Sequence, residues 1–380
     1  MDSPLRIGIS CFPSVGGSGI LATALGIELA RRGHEIHFIS YDRPVRLPPQ
    51  EARISFHPVL IHGYGLFSHS DYTLPLAVKM AEVCREHRLD ILHAHYAVPH
   101  ATAAVLAREF LPPELQPRVV ATLHGTDTML LGRDPAYRPV IRHALVHSDA
   151  ITTVSRFLRE ETLRLIETGH DIDVVPNFFT PGAPTRSREA VRRELGVTEE
   201  EALIIHVSNL RAVKRIDLLL QTAARIRPRE SFKLLIVAGD DFSPFVNEVK
   251  RLHLEDKIVV REKVTSVEDY FAAADLGLFT SEYESFCLSI LEAMTFGCPS
   301  VSTAAGGIPE VIEDGVSGIL CPFGDVDGLA RAVGDLIADP AKRHRLGEAA
   351  RKRAATHFPA DQVVPAYLNV YRQALRAPAT

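Results

Sequence analysis

Two glutamates eight residues apart, Glu284 and Glu292, lie in the stretch Ser281–Ile312, SEYESFCLSILEAMTFGCPSVSTAAGGIPEVI. An apolar strand over Leu276–Phe279 runs into a short acidic turn. Leu288, Leu291 and Met294 then recur at helical spacing, which predicts a helix over Phe286–Phe296. Gly297 and Pro299 stop it. Glu284 therefore falls in the turn at the helix N-terminus and Glu292 on the helix body. The amides of the first turn, Ser285, Phe286, Cys287 and Leu288, form a seat for a phosphate or a developing anion. A carboxylate on the helix can accept hydrogen bonds from sugar or ribose hydroxyls. In outline this is a nucleotide-sugar site. A glutamate at a helix N-terminus also simply favours the dipole, so spacing alone leaves both readings open.

Further groups sit where strands end. Asn209, Arg211, Lys214 and Arg215 follow a strand over Leu203–Val207. Arginine clamps phosphate oxygens and lysine adds a point charge, a combination suited to a diphosphate leaving group. Two cations at a helix start oppose its dipole, which argues against a merely solvated surface. His93-Ala94-His95-Tyr96 ends another strand, and Tyr96 reads as a hydroxyl donor to an acceptor; packed, satisfied side chains are the competing reading. Thr122-Leu123-His124-Gly125-Thr126-Asp127 ends a third. There His124 is placed for a sugar, and Asp127 either orients the loop or caps the turn. The loop Gly16-Gly17-Ser18-Gly19 lets backbone approach a ligand at a helix N-terminus. Gly17-Ser-Gly19-Ile-Leu-Ala22 with Asp42 also fits a dinucleotide fingerprint, but the loop from Cys11 to Gly16 is long for one. Gly306-Gly307-Ile308-Pro309-Glu310 is a second flexible turn, with Pro309 suited to a helix start.

These groups need a scaffold of repeated strand–helix units. Strands are predicted over Leu5–Ser10, Glu35–Ser40, Ile54–Pro58, Ile91–Ala94, Val119–Leu123, Ala150–Val154 and Ile172–Val175. Helices fall between several of them, near Ile20–Arg32 and over Leu74–His87, Ala101–Phe110, Val140–His147 and Phe157–Glu167. A second series runs through Leu203–Val207, Ile216–Ile226, Lys233–Ala238, Pro244–Leu252, Ile258–Val260, Val267–Ala274 and Leu276–Phe279. Helices over Leu329–Ile337, Ala341–His357 and Ala360–Leu375 close the chain. The pattern is α/β, with two doubly wound, Rossmann-like domains and a ligand site expected in an interdomain cleft. Residues 1–175 form the first domain, 176–200 a linker that begins Pro-, Gly- and Thr-rich, 201–358 the second domain and 359–380 a last helix.

Composition narrows the class. The 380 residues suit two domains, and 46% hydrophobic content is that of a globular protein. A net charge of −5 offers no basic surface for nonspecific nucleic-acid binding. Cys11, Cys84, Cys287, Cys298 and Cys321 lack metal-site spacing and read as reduced thiols of a cytoplasmic protein. No secretory leader and no apolar run long enough for membrane insertion is present. The 17 histidines show no HExxH-type pair, so no metal is expected. The oligomeric state stays open, a homo-oligomer included.

Taken together, CFPSVGGSGI, HAHYAVPHA, TLHGTD, HVSNLRAVKR, ESFCLSILEAM and GGIPEVI resemble the retaining GT-B glycosyltransferases of family 4. The likeness runs from Arg6 to the last helix. Its N-terminal segments are similar to the bacillithiol-pathway members, which move N-acetylglucosamine from UDP-N-acetylglucosamine to the hydroxyl of L-malate with retention. The resemblance implies no cofactor and no metal. It implies a catalytic set of Glu284, His124, Arg211 and Lys214. Donor contacts would come from Gly16, Gly17, Asn209, Arg211, Lys214, Glu284, Ser285, Phe286, Cys287, Leu288 and Glu292, with Glu292 at the ribose. Acceptor contacts would come from Ser18, Tyr96, Thr122, Asn209 and Arg211, and Arg46 is a further acceptor candidate by its charge. A front-face substitution is implied, in which a leaving phosphate oxygen takes the acceptor proton. The chain departs from the family at Cys287, where glycine is usual, and at Ala238-Gly-Asp-Asp241. Other acceptors (an inositol phosphate, a glycolipid), an NAD-dependent oxidoreductase and a silent nucleotide-sugar sensor are the alternatives.

Overall fold

The computed structural model describes residues 3–14, 16–61, 71–228, 230–264 and 266–377. Val15 of the glycine-rich loop lies outside them. Two compact units result: residues 1–177 with 360–380, and residues 178–359.

The first unit is built on seven parallel strands: β1 (Arg6–Ser10), β2 (Glu35–Ser40), β3 (Ile54–Pro58), β4 (Ile91–His95), β5 (Arg118–Leu123), β6 (Ala150–Thr153) and β7 (Ile172–Val174). Their spatial order is β3-β2-β1-β4-β5-β6-β7. β1, β4 and β5 are almost wholly buried, which explains their near-continuous apolar runs: a parallel sheet is covered on both faces. The Gly17–Arg31 helix lies against β2 through Gly26, where any side chain would collide with the Phe38 ring. The Arg156–Leu165 helix starts where Ser155 Oγ accepts a hydrogen bond from Leu158 N–H at 3.1 Å.

The second unit has six parallel strands: β8 (Ala202–Ser208), β9 (Phe232–Ala238), β10 (Ile258–Glu262), β11 (Leu276–Phe279), β12 (Ser300–Thr303) and β13 (Gly318–Cys321). They lie in the order β10-β9-β8-β11-β12-β13. Its core joins Ile204, Leu234, Ile236 and Leu278 of the sheet to Leu219 and Leu220 of the Ile216–Ile226 helix and to Leu329 and Val333 of the Val326–Ala338 helix.

Three features depart from the sequence reading. The stretch 176–200, expected as a linker, contains the Arg188–Glu194 helix, and from Phe178 it belongs to the second unit. That helix buries only Val191, so its sequence carries almost no apolar periodicity. It is held by charge: Arg188 and Arg192 bond Asp275 at 2.6 and 2.8 Å. β13 was not foreseen, because four residues at a sheet edge are too few for a pattern. The Pro244–Leu252 segment is a tight turn at Ser243–Phe245 followed by a helix over Val246–Arg251.

The last helix, Ala360–Arg376, packs on the first unit. Its Tyr371 hydroxyl lies 2.8 Å from His93 Nδ1, and His93 Nε2 lies 2.6 Å from Thr122 Oγ1, both bonds fully buried. Tyr371→Phe therefore leaves a buried ring nitrogen without its partner and should cost about 1–2 kcal/mol. Urea unfolding at neutral pH checks this; a change under about 0.5 kcal/mol, the size of a surface substitution, would contradict it.

Candidate functional site

In each sheet the strand order reverses beside the first strand, between β1 and β4 and between β8 and β11. Loops leaving the two strands at such a reversal go to opposite faces and open a crevice at the carboxyl ends of the strands. Most of the candidates follow those strands; Thr122 and His124 lie at the end of β5, and Arg46 follows β2.

In the first unit the helix after β1 begins at Gly17, not near Ile20. Gly16 provides the extended residue before it (φ −67°, ψ 154°), and Gly17 and Ser18 open the first turn. Gly19 is required by packing: a Cβ there would sit 2.6 Å from the carbonyl oxygens of both Phe12 and Ser14. The loop thus folds back over the helix start, separating the glycines from the strand end and disfavouring the dinucleotide reading. Across the reversal, Ser18 Oγ and Tyr96 OH share a 2.7 Å hydrogen bond. Tyr96 follows β4 directly and holds φ at 91°, unusual for a residue with a side chain. Its ring centroid lies 5.2 Å from that of His124. His124 Nε2 in turn lies 2.9 Å from His95 Nδ1.

Asp127 holds this corner together. Fully buried, it accepts the Ala97 N–H at 2.9 Å, fixing the turn that carries Tyr96. Burial pushes its carboxyl up to about 7 against the lowering effect of the amides around it. Thr122 differs from the other acceptor candidates. Its hydroxyl is fully buried and bonded to His93 and to Thr152 Oγ1 at 2.6 Å, so its side chain supports the sheet instead of facing solvent. Arg46 lies in the turn Pro44–Leu47 after β2, at φ 67°.

In the second unit the turn after β8 carries Asn209, Arg211 and Lys214. Lys214 Nζ bonds Glu284 Oε1 at 2.6 Å, and Ser281 Oγ donates to the same oxygen at 2.8 Å. Burial works against the Lys214 charge, but Glu284 outweighs it and holds the ammonium above its ordinary pKa. Arg211 is exposed beside it. Asn209 Oδ1 is buried with no hydrogen-bond partner among the described residues, an acceptor waiting for a donor. The two turns are tied together: Glu282 N–H donates to the Val213 carbonyl at 2.8 Å, and Thr280 Oγ1 donates to the Arg215 carbonyl at 3.1 Å. The Gly306-Gly307 turn joins them, with Gly307 N–H donating to the Glu284 carbonyl at 2.9 Å.

The helix here spans Leu288–Thr295 and not Phe286–Phe296. Cys287 adopts φ 73°, ψ 77°, a left-handed conformation that cannot continue a helix, so the helix starts after it. The amides at the helix start are accordingly those of Cys287, Leu288 and Ser289, while Ser285 and Phe286 lie in the preceding bend; Phe286 is buried against Phe358. The conformation also accounts for glycine being usual at this position. Glu292 is nearly buried, one turn into the helix.

Two supporting residues escaped the sequence reading. Ser281 is one, although its spacing three before Glu284 was legible. His206 is the other: its Nδ1 lies 2.8 Å from the Leu278 carbonyl and its Nε2 2.8 Å from Ser208 Oγ, bracing the β8 end against β11. A lone histidine inside an apolar strand gave no signal of that.

Comparison with known proteins agrees with this architecture. Residues 15–221 match the family model described as Glycosyltransferase Family 4, and residues 187–353 match that of Glycosyl transferases group 1. The chain is 42% identical over 374 residues to N-acetyl-alpha-D-glucosaminyl L-malate synthase of Bacillus anthracis, covering 98% of each chain. It is 30% identical to a D-inositol 3-phosphate glycosyltransferase of Xylanimonas cellulosilytica, over 95% of this chain and 92% of the relative. Sucrose-phosphate synthase from Thermosynechococcus elongatus has the same fold, with a TM-score of 0.80 at 20% identity over 97% of this chain and 98% of that one.

Burial lowers four histidines around the β4–β5 corner. His93, His100 and His124 fall to about 3, and His95 lies well below its ordinary value. Between the unfolded value of about 6.5 and those folded values the unfolded chain binds more protons, so acid destabilises the native state there. Asp127, raised, has the opposite sign between about 4 and 7 but is one group against four. Unfolding free energy should therefore fall from pH 7 to pH 5, with each histidine contributing up to about 1.4 kcal/mol per pH unit. Urea melts across that range test it, and a flat profile contradicts it.

Proposed function

Because this chain belongs to the family 4 glycosyltransferases, we propose that it moves N-acetylglucosamine from UDP-N-acetylglucosamine to the hydroxyl of L-malate, with retention at the anomeric carbon. The observation that carries the reading is Lys214, held charged by Glu284 at the strand reversal of the second sheet. A departing nucleoside diphosphate develops negative charge, and a pre-positioned cation lowers the barrier by meeting it. Arg211 adds a second cation that can grip phosphate oxygens in two places. The amides of Leu288 and Ser289 complete the anion site. Glu284 and Glu292 serve sugar and ribose hydroxyls, and Asn209 Oδ1 accepts from the bound substrate. The choice of L-malate as acceptor rests on the full-length likeness to the Bacillus anthracis protein, with Ser18 and Tyr96 as hydroxyl partners.

The electrostatics of His124 support a front-face route. A pKa near 3 makes the ring a weak general base at neutral pH. The acceptor proton then goes to the leaving phosphate oxygen, the bond from the anomeric carbon to that oxygen breaks, and the malate oxygen bonds on the same face. No protein base takes the proton in this scheme. The cofactor-free reaction is part of the proposal.

UDP release with UDP-N-acetylglucosamine should require L-malate, and the product's anomeric coupling constant should report the α configuration. Release with an inositol phosphate and none with L-malate would overturn the acceptor assignment in favour of the reading that the Xylanimonas relative supports. In calorimetric titration, Arg211→Ala and Lys214→Ala should each weaken UDP binding about tenfold or more, the loss of a charge-assisted contact. Tyr96→Phe should raise the KM for malate while leaving UDP affinity unchanged. Unaltered UDP affinity in both cation variants would refute the donor site.

A further inference from the structure

Away from these loops, three histidines from separate elements converge on one face of the first sheet. In the parallel register of β2 and β3, His37 pairs with Ser55, so His57 lies on the same face two residues further on. The Thr73–His87 helix packs on β2 and contributes His87 from its last turn. One nitrogen from each ring can be chosen so that all three lie within 4.8 Å of one another. His37 Nδ1 and His57 Nε2 are already 2.9 Å apart. The rings of His37 and His87 have centroids 4.3 Å apart, and those of His57 and His87 5.2 Å.

We propose that His37, His57 and His87 form a binding site for a zinc-class divalent cation, tying the edge strand β3 to β2 and to the end of the Thr73–His87 helix. Two nitrogens on a tetrahedral zinc at ~2.0–2.1 Å lie roughly 3.3–3.4 Å apart. The His37–His57 pair needs only a few tenths of an ångström of opening to reach that, and His87, partly exposed at a helix end, needs a modest ring movement. Imidazoles select Zn²⁺, Ni²⁺ or Cu²⁺ over Mg²⁺ and Ca²⁺, which prefer oxygen.

The surroundings favour a cation. Glu35 Oε1 lies 3.2 Å from His37 Nε2. The carboxylate accepts that N–H, which fixes the tautomer and turns the Nδ1 lone pair toward His57. This carboxylate–histidine arrangement is the usual outer support of a histidine-bound metal. With Nδ1 of His37 as acceptor, His57 Nε2 carries the bridging proton; a cation takes that proton's place and His57 keeps its own on Nδ1. Glu82 and Glu86 also face His57, and Lys79, the cation there, is paired to Glu82 at 2.7 Å. With three protein ligands the fourth position falls to water, since His57 and His87 are partly exposed.

The test uses the full chain stripped with a chelator and titrated with ZnCl₂ by calorimetry, and with CoCl₂ by visible absorption. One equivalent of Zn²⁺ should bind, Co²⁺ should give the intense bands of a four-coordinate site, and Zn²⁺ should raise the thermal midpoint. His57→Gln and His87→Gln sit at partly exposed positions and should fold; both should lose the Co²⁺ bands and the thermal shift. Glu35→Ala should weaken binding about tenfold. His143→Gln removes one ring of the tilted His143–His147 contact at the end of another helix and should change nothing. Absence of saturable Zn²⁺ binding, or the same stoichiometry and spectrum in His57→Gln and His87→Gln, would overturn the proposal. UDP titration of the same variants should match the unsubstituted chain, so the outcome is independent of the transferase assignment.

Discussion

A parallel sheet can grow outward from its first strand in both directions, and where the direction changes the connections must leave on opposite faces. Both units obey this constraint, with β1 beside β4 in one and β8 beside β11 in the other. The two central pairs of side chains depend on it. Ser18 and Tyr96 are 78 residues apart in sequence and share a hydrogen bond only because β1 and β4 are neighbours. Lys214 and Glu284, 70 residues apart, form an ion pair for the same reason across β8 and β11.

The two crevices are built from different electrostatics. The first unit assembles groups whose charge burial opposes: histidines lowered to about 3 and an aspartate raised to about 7. The second assembles ions, with Lys214 paired to Glu284 and a further arginine beside them. Removing one partner from a buried pair leaves an uncompensated charge, which is costly. A bound diphosphate can share Lys214 without that loss, because it brings negative charge of its own. Ser281 Oγ holds the Glu284 carboxylate and the Gly307 amide holds the Glu284 backbone carbonyl, both independently of the lysine. Lys214 can therefore serve a ligand while the carboxylate keeps its position.

Much of this was legible in the residues. The strand at Glu35–Ser40, the helix at Ile216–Ile226 and the strand at Leu276–Phe279 were placed to the residue, because apolar runs between glycine and proline punctuation signal buried elements strongly. The groups around Glu284 were recognisable because several motif positions fall within one short stretch. Where the reading failed, the cause was local. Cys287 carries no sign of its left-handed backbone, so the helix start was drawn two residues early. The Arg188–Glu194 helix is held by arginines on Asp275, 83 and 87 residues away, and no window of sequence contains that pairing.

The sequence by itself determined the element types, the alternation that demands parallel sheets and the chemical inventory of the strand ends, since these follow from short-range periodicity and turn chemistry. Tertiary structure alone decided which of those groups meet. It committed Thr122 to the interior beside His93, left Asn209 Oδ1 buried and unmatched among the described residues, and gathered His37, His57 and His87 onto one sheet face. Such meetings depend on strand order and register, which set distances between residues far apart in the chain and leave no trace in local pattern.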